Sequence, residues 1–439
     1  MFLPESVQLC LDTLKNAGFR GYAVGGCVRD SLLGIQPHDY DLCTDALPED
    51  ICAAFHNYRL VRSGEKHGTV GVVVEGEVIE ITTFRTEGGY QDGRHPDWVR
   101  FVDDLTEDLA RRDFTVNAMA YSPEEGYIDP FGGQEDLKNR CLRCVGDPAT
   151  RFREDALRIL RGVRFAVRFS LDVEEKTQKA MFRLTPLMDK LARERVFEEL
   201  CKLLPLVHAR DLMHYIPVLT QVIPEISQSI GFLQHTHHHI YDVFTHTVYV
   251  VESAPRDLVL RWAALLHDVG KPACFFMDEE GRGHFWGHAQ RSAAMAEEIL
   301  YRLKAPTALR EQVVLLISQH MTPLTPDKHI LRRRLGQYGE EQVRRMLALQ
   351  RADFGSKGTG TAAEEAVYDE IENLLNEIMA EADCLNLRSL AVDGHDLMDL
   401  GFAPGPQMGK CLDALLEQVQ EDRIPNEKDS LLKAAEVYL

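Results

Sequence analysis

The sequence predicts an α+β fold in which a small mixed domain of strands and helices precedes an all-α remainder. Strand signals are confined to about the first 140 residues, where two β-branched segments, 69–74 and 78–84, flank a Glu-Gly-Glu turn. From Arg151 to the C-terminus, apolar residues recur with helical periodicity instead. The predicted secondary structure therefore changes once along the chain, from mixed strands and helices to helices alone, after about the first third of the sequence.

The elements of the first domain follow in a readable order. Residues 1–18 predict an amphipathic helix, 21–24 (GYAV) a short strand, and 27–33 a helix that Gly34 ends. A strand at 39–43 and the hairpin of 69–84 complete the predicted sheet. A final helical unit is predicted over 394–439.

Composition narrows the class of protein. The 439 residues are too many for one hydrophobic core, and two to four domains are expected. The net charge of −20 argues against indiscriminate nucleic-acid binding. Ten scattered cysteines are typical of a reducing compartment, and neither a membrane span nor a secretory signal is predicted. We therefore expect a cytoplasmic protein without a membrane partner.

Asp39 and Asp41 are candidate metal ligands. Side chains at i and i+2 of a strand point to one face, so both carboxylates are expected at one place, where they could hold a pair of Mg²⁺ ions against a triphosphate. Gly25 and Gly26 just upstream allow backbone N–H groups to approach phosphate oxygens, and Arg29 lies one helical turn further on. Glu80 is a possible third carboxylate. This pattern indicates nucleotidyl transfer.

A second group of polar residues lies at 110–120 (ARRDFTVNAMA) and a third at 151–169. Within residues 110–120, Asp113 and Asn117 are four residues apart and are expected to share a helical face.

Residues 151–169 contain six arginines and two acidic residues. Four of these arginines share one face of a predicted helix, namely Arg158, Arg161, Arg164 and Arg168. Asp155, one helical turn earlier, is expected to hold the guanidinium group of Arg158. An Asp–Arg pair presents the acceptor and donors that reading a base edge requires.

These motifs resemble the bacterial tRNA nucleotidyltransferase (CCA-adding enzyme) family, of the class related to bacterial poly(A) polymerases. The resemblance covers residues 20 to about 200 and rests on GG-x-VRD-x-LLG followed by DxD, RRDFTxNA, DPFGG, EDxxR at 154–158 and RERVFEEL at 193–200. It implies a polymerase-β-like head, with a mixed sheet and helices, followed by all-α neck, body, HD and tail regions.

The resemblance also implies a reaction and its site residues. CMP and AMP would be added to the tRNA 3′ end from CTP and ATP without a nucleic-acid template. Asp39 and Asp41 would be the catalytic Mg²⁺ ligands. The implied nucleotide-binding residues are Gly26, Arg29, Arg112, Asp155, Arg158, Arg161 and Arg164, of which Asp155 and Arg158 would pair with the incoming base.

Several alternatives remain open within and beyond this family. An enzyme that adds only the terminal A is not separated from one that adds CCA. A poly(A) polymerase is disfavoured by residues 65–76 (EKHGTVGVVVEG). An enzyme that adds only CC is disfavoured because residues 86–101 resemble the flexible loop that A addition requires. From another class, the chain could be chiefly a phosphohydrolase that uses a disabled head to bind RNA.

A histidine-rich pattern in the second half resembles the HD superfamily of metal-dependent phosphohydrolases. The matching residues are His246, the His267-Asp268 pair in HDVGKP, and Asp353. They imply a site for a divalent transition metal (Mn, Ni, Co or Fe) that activates water, with Lys271 near a substrate phosphate. His288 and His320 match the positions of added ligands for a second metal. His235 and His237–His239 match none of these positions, and a polar entry to the domain is expected there.

The expected domains are a nucleotidyltransferase head (1–142), a neck and body with the base-reading helix (143–230), an HD metal-binding domain (231–360) and a helical, tRNA-binding tail (361–439). The sequence predicts no oligomeric state.

Overall fold

The computed structural model describes residues 1–88, 98–236, 239–359, 361–381 and 386–439, without the side chains of residues 362 and 363. These residues form two compact units. One comprises Met1–Val207 and His214–Pro224, and the other comprises His208–Met213 and Glu225–Leu439. None of the helices in the described ranges combines the length and apolar character needed to cross a bilayer.

The first unit is built on a mixed sheet, which has seven strands within the described residues, in the order β3-β4-β5-β2-β1-β8-β9. The strands found in the described ranges are β1 (Gly21–Val24), β2 (Asp41–Thr44), β3 (Arg59–Val61), β4 (Thr69–Val74), β5 (Glu77–Thr83), β6 (Arg85–Gly88), β7 (Trp98–Phe101), β8 (Ala120–Ser122), β9 (Gly126–Ile128), β10 (Cys141–Leu142), β11 (Asp172–Val173), β12 (Phe276–Met277) and β13 (Gly283–His284).

The helices of the first unit, apart from short 3₁₀ turns, flank this sheet or follow it. They are α1 (Glu5–Asn16), α2 (Gly26–Leu32), α3 (Pro48–Ala54), α4 (Leu105–Ala110), α5 (Gly133–Lys138), α6 (Pro148–Glu154), α7 (Leu157–Phe169), α8 (Glu175–Leu184) and α9 (Arg193–Leu203), followed by α10 (Ala209–His214), which spans the boundary of the units, and α11 (Ile216–Val222).

The second unit is helical in its described residues except for the short β12–β13 ladder. Its helices are α12 (Val243–Ser253), α13 (Leu258–Leu266), α14 (Lys271–Cys274), α15 (His288–Arg302), α16 (Thr307–Gln319), α17 (Lys328–Tyr338), α18 (Glu340–Gly355), α19 (Ala362–Ala380), α20 (Gly394–Leu400), α21 (Pro406–Gln420) and α22 (Lys428–Ala435). The predicted α+β class, with strands first and helices after, is confirmed.

The hairpin between β4 and β5 forms because its turn and its strands agree. Glu75 and Gly76 both have positive φ, 52° and 90°, as a two-residue turn of the primed type requires. Val72 and Ile81 are buried in the sheet. β5 also pairs in parallel with β2, which places β2 between β5 and β1. The turn therefore fixes the register of β5, the strand that pairs with β2 and its Asp41.

Two predicted elements differ in their bounds. The strand expected at 39–43 begins at Asp41, so Asp39 precedes it. The arginine-rich segment forms two helices, α6 and α7, because Asp155 has an extended backbone (φ −143°, ψ 105°) at the end of α6. The predicted placement of Arg158, Arg161, Arg164 and Arg168 on one helix is confirmed, since all four belong to α7.

The C-terminal helices have a core of their own. Leu397 on α20, Leu415 on α21 and Leu431 on α22 are all fully buried and belong to one hydrophobic cluster. The predicted final helical unit is thus present, with amphipathic helices that bury their apolar faces against one another.

Candidate functional site

Three acidic residues lie at the start of β2 and on the strand beside it. Asp41 begins β2, and its parallel neighbour on β5 is Glu80. Asp39 lies two residues before Asp41, and all three residues are exposed. Desolvation by the surrounding protein raises the pKa of Asp41, Arg112 lowers it, and the Asp39 carboxylate raises it again. Neighbouring carboxylates supply the oxygen ligands that Mg²⁺ prefers.

A glycine allows an arginine to approach these carboxylates. Gly25 precedes α2 with φ of 78°, and a Cβ atom there would lie 2.9 Å from Nη1 of Arg112. The Arg112 guanidinium lies 3.5 Å from Oδ2 of the fully buried Asp108, which also accepts hydrogen bonds from Arg111. Gly25 is therefore needed for its backbone conformation and for the space it leaves.

Arg29, predicted to contact the nucleotide, is buried in a polar network. It is 4% exposed, and it donates hydrogen bonds to Asp30 at 2.8 and 2.6 Å and to the side-chain oxygen of Asn117. Its guanidinium lies 4.4 Å from the ring centroid of Phe169 on α7. Gly26 is the first residue of α2. Arg29 thus links α2 to the arginine-rich helix.

Asp113 joins the same network to α7. It accepts hydrogen bonds from Asn117 at 3.1 Å and from Arg161 at 2.9 Å. Burial alone would raise the pKa of Asp113, but Arg161, Asn117 and Arg158 more than offset it and lower the pKa to about 2. Asp113 and Asn117 meet as predicted, although Asn117 lies in a 3₁₀ turn (Thr115–Asn117) and not in an α-helix.

The expected contact between Asp155 and Arg158 is replaced by two others. Arg158 donates to Glu154 at 2.5 Å, and Asp155 accepts hydrogen bonds from Arg195 on α9 at 2.8 and 3.4 Å. The reason is the extended backbone of Asp155, which interrupts the helix on which that pairing depended. Asp155 lies just before α7 and Arg158 in its first turn, and each side chain is held by a separate partner.

The remaining arginines of α7 are also paired. Arg164 is buried and donates to Glu199 of α9 at 2.6 Å. Arg168 lies 3.9 Å from Asp30. Sequence reasoning missed Glu199 and Arg195 as partners, although both belong to the RERVFEEL motif at 193–200. Arginine side chains held by fixed carboxylates keep one geometry, as a specific binding surface requires.

The loop predicted to be required for A addition, 86–101, is described only at its ends. Residues 89–97 lie outside the described residues. The flanks form an antiparallel ladder between β6 and β7, in which Arg85 pairs with Phe101 and Gly88 with Trp98.

The second unit brings the predicted histidine and aspartate residues together. His246 lies on α12, His267 and Asp268 follow α13, and Asp353 lies on α18. Nε2 of His246 is 2.9 Å from Asp353 and 3.6 Å from Oδ2 of Asp268, and Nε2 of His267 is 3.1 Å from the same Oδ2. Four residues separated by up to 107 positions thus form one buried cluster.

His288 and His320 lie at the other oxygen of the same aspartate. Their Nε2 atoms are 3.4 and 3.9 Å from Oδ1 of Asp268 and 3.2 Å from each other. Two groups of possible metal ligands therefore share Asp268, one with His246 and His267 and the other with His288 and His320. We call these five residues and Asp353 the His–Asp cluster.

The four histidines share one hydrogen-bonding arrangement. Each directs Nδ1 to a backbone carbonyl oxygen, and the four acceptors are those of Ser356 for His246, Ala264 for His267, Phe285 for His288 and Ile317 for His320. An Nδ1–H donated in this way leaves the Nε2 lone pair for a ligand. All four Nε2 atoms point to the Asp268 carboxylate, so the tautomers suit metal binding.

Ion pairs without hydrogen-bond geometry surround the Asp268 carboxylate. Among the described residues, Nε2 of His267 and both carboxylate oxygens of Asp268 make no hydrogen bond, although that Nε2 lies 3.1 Å from Oδ2. Burial would raise the pKa of Asp268, but His267 and Lys271 hold it well below its usual range. Nζ of Lys271 lies 2.7 Å from Asp268. An anionic carboxylate that faces four imidazole Nε2 atoms and makes no hydrogen bond among the described residues fits a divalent cation.

His239 belongs to this region, contrary to its interpretation as part of a polar domain entry. Its ring centroid is 4.8 Å from that of His246, and its Nδ1 is buried without a partner among the described residues. Burial and the charge of Lys271 lower its pKa to about 3. The family pattern offered no position for His239, so only the fold reveals it. His237 lies outside the described residues, as does His238.

Three segments of the chain match known protein families. Residues 21–143 match the family described as Poly A polymerase head domain, residues 170–229 that described as Probable RNA and SrmB-binding site of polymerase A, and residues 285–435 that described as tRNA nucleotidyltransferase domain 2 putative. The mixed sheet with its carboxylates and the helices that follow therefore define a nucleotidyltransferase of the polymerase-head class.

Relatives that match nearly the whole chain identify its family. The chain is 35% identical to a CCA-adding enzyme of Lactobacillus helveticus, over 97% of this chain and 95% of that one. It is similar to the crystal structure of the Bacillus stearothermophilus CCA-adding enzyme in complex with CTP, with 28% identity, a TM-score of 0.72 and coverage of 99% and 98%. The chain belongs to the CCA-adding enzyme family.

A more distant structure shares the fold. The Thermotoga maritima CCA-adding enzyme complexed with tRNA_CCA has a TM-score of 0.60 at 19% identity, over all of this chain and 97% of that one.

Proposed function

We propose that this protein adds CMP and AMP to the 3′ end of tRNA, using CTP and ATP, and so builds or repairs the CCA terminus. The observation that carries the proposal is the pairing of Asp41 with Glu80 on neighbouring strands, with Asp39 and Arg112 close enough to shift the pKa of Asp41, in a chain of this family. Binding of CTP by the Bacillus stearothermophilus relative supports the choice of nucleotide.

The carboxylates are the proposed catalytic centre. Asp39 and Asp41 would hold Mg²⁺, and Glu80, paired with Asp41 on the neighbouring strand, would be a further ligand. When bound, Mg²⁺ lowers the pKa of the tRNA 3′-hydroxyl and neutralises charge on the α-phosphate and the departing pyrophosphate. Arg112 adds a positive charge beside them, within the space left by Gly25. The protein forms no covalent intermediate in this scheme, and its contribution is positioning and charge stabilisation.

The start of α7 is the proposed base-reading element. Asp155 offers an acceptor and Arg158 offers donors, and each is held in place by a salt bridge, to Arg195 and Glu154 respectively. Arg161 and Arg164 are the further nucleotide-binding residues, held by Asp113 and Glu199. Prepaired side chains lose little conformational entropy on binding, which favours selection of CTP and ATP by protein groups alone. The four domain bounds given above and a tRNA-binding tail are part of the same proposal.

Extension of defined tRNA ends tests the proposal. Transcripts that stop before CCA, after C and after CC are supplied with labelled CTP or ATP. Extension of all three to a complete CCA end is expected. Extension of only the CC-ended transcript would instead identify an A-adding enzyme, and long A tracts on unrelated RNA would contradict both assignments in favour of a poly(A) polymerase.

A second activity, metal-dependent phosphate-ester hydrolysis, is favoured by the His–Asp cluster. The specific observation is the convergence of four Nε2 atoms on an Asp268 carboxylate whose oxygens have no hydrogen-bond partner among the described residues. A divalent transition metal bound there would activate water. Lys271 and Lys357 line the cavity beside the cluster and offer positive charge to a phosphate.

Metal analysis and hydrolysis assays test this second activity separately. The purified protein is loaded with Mn²⁺, Ni²⁺ or Co²⁺, its metal content is measured, and cyclic and linear phosphate esters are offered. His267→Ala with Asp268→Ala should lose both metal and hydrolysis while nucleotide incorporation continues. A wild-type protein that binds metal without hydrolysing any ester would restrict the cluster to a structural role.

A further inference from the structure

An exposed tryptophan lies beside the His–Asp cluster. Trp286 is 76% exposed, yet it lines the same cavity of about 470 Å³ as Asp268, His288 and His320. Phe276 and Met277 are exposed as well, and a contiguous group of exposed apolar side chains often marks a binding site. The volume is in the range of small-molecule sites.

Two other rings hold Trp286 in place. Phe276 of β12 and His284 of β13 are paired in register, and their rings are stacked with centroids 5.0 Å apart. The Trp286 ring lies 4.7 Å from Phe276 and 5.5 Å from His284. Nε2 of His284 is in turn 2.6 Å from Asp278. We call Phe276, His284 and Trp286 the aromatic platform.

The cavity lining combines two kinds of group. The first comprises Asp268, His288, His320 and Asp353 with two lysines, of which Lys271 is buried and Lys357 lies 3.0 Å from Asp353. The second comprises Trp286 and His284 of the platform. A phosphate suits the first group, and a flat π-system suits the second. A nucleoside phosphate presents both groups in one molecule, whereas a sugar phosphate presents only one.

We propose that Trp286 is the specificity-determining residue of this site, and that it stacks on the base of a nucleoside monophosphate whose phosphate lies at the His–Asp cluster. This inference rests on the second proposed activity, since it names the substrate class of that cavity. Base stacking on an aromatic side chain contributes about 1–3 kcal/mol. Removal of Trp286 should therefore weaken binding by about ten- to one-hundred-fold.

Equilibrium dialysis with the full chain tests the platform without any bound metal. Labelled AMP and ribose 5-phosphate are compared in EDTA; both carry a 5′-phosphate, and only AMP has a base. The wild type should bind AMP at least about tenfold more tightly than ribose 5-phosphate. Trp286→Leu should lose that preference and leave ribose 5-phosphate binding unchanged, and Trp286→Phe should keep most of it. Tyr301→Leu, which removes another exposed aromatic residue of the same unit away from the cavity, should behave as the wild type.

Equal AMP affinity in the wild type and in Trp286→Leu would overturn the inference, since AMP would then be bound elsewhere, for example by the head. Equal affinity of the wild type for AMP and ribose 5-phosphate would overturn it as well. No hydrolysis enters these measurements. Trp286-dependent AMP binding by a protein that hydrolyses nothing would therefore count against the hydrolase activity and not against the platform.

Discussion

Asp41 and Glu80 are directly opposite each other on neighbouring parallel strands. This pairing adds a third carboxylate to a pair that is evident in the sequence. It arises because β5 belongs to a tight hairpin with β4 and pairs with β2 on its other edge. Contacts between residues 39 positions apart in sequence thus create the centre on which the proposed chemistry depends.

Glu80 should contribute to metal-dependent catalysis. Glu80→Gln keeps the size of the side chain and removes its charge, so we expect kcat for CMP incorporation to fall by about tenfold or more, with a raised Mg²⁺ requirement. Glu77→Gln, an exposed change on the same strand, is the matched control. Unchanged Mg²⁺ dependence in Glu80→Gln would remove Glu80 from the centre.

Gly25→Ala should impair activity through Arg112. The new Cβ atom would lie 2.9 Å from Nη1 of Arg112, and the positive φ adds strain of about 1–3 kcal/mol. Gly34→Ala is the control, because Gly34 also has positive φ (72°) but has open space at the Cβ position. Both variants should lose thermal stability, and only Gly25→Ala should also lose incorporation beyond the fraction that is unfolded. Equal activity in the two variants would exclude the displacement of Arg112 as the cause.

Arg195 should affect nucleotide choice more than overall rate. Arg195→Ala removes the partner that holds Asp155, so the ratio of kcat/KM for CTP to that for UTP should fall by about tenfold, in line with the 1–3 kcal/mol that a bidentate contact to a base provides. Arg193→Ala, on the same helix, should leave the ratio unchanged. If Arg195→Ala slows CTP and UTP equally, Asp155 does not select the base.

Asp113 should make the first unit sensitive to acid. Its pKa is about 2 in the folded protein, below the ordinary value of 3.8 for an aspartate, so the ionised carboxylate stabilises the fold above about pH 4. This stabilisation is lost as the pH falls towards 2. The contribution is about 2 kcal/mol. The stability difference between wild type and Asp113→Asn, measured by denaturant unfolding, should shrink over that range. A difference independent of pH would mean that another property of the side chain is responsible.

Local sequence signals predicted the elements whose cause is local. The strand at Gly21–Val24, the β4–β5 hairpin and the terminal helices follow from β-branched content, a turn with glycine and amphipathic periodicity. The aspartates and histidines were found because their residue types at given spacings indicate metal chemistry. The histidines of the second unit converge on Asp268 as predicted, and their role as metal ligands stays a proposal.

Features that depend on distant contacts were not predicted. The break at Asp155 is stabilised by Arg195, 40 residues later, so no helical periodicity reveals it. Glu199 has an ordinary position on an amphipathic helix, and only packing of α9 on α7 shows that it holds Arg164. His239 and Trp286 are identified as candidate site residues only by the fold, which places both at the cavity.

Single-turnover incorporation of labelled CMP into a tRNA transcript lacking CCA, with and without the aspartate pair, tests the central claim most directly. Asp39→Ala with Asp41→Ala should abolish incorporation at every Mg²⁺ concentration, while circular dichroism and thermal unfolding remain close to those of the wild type, because both side chains are exposed. Incorporation that persists in this variant would contradict the assignment of the two aspartates as the catalytic metal ligands.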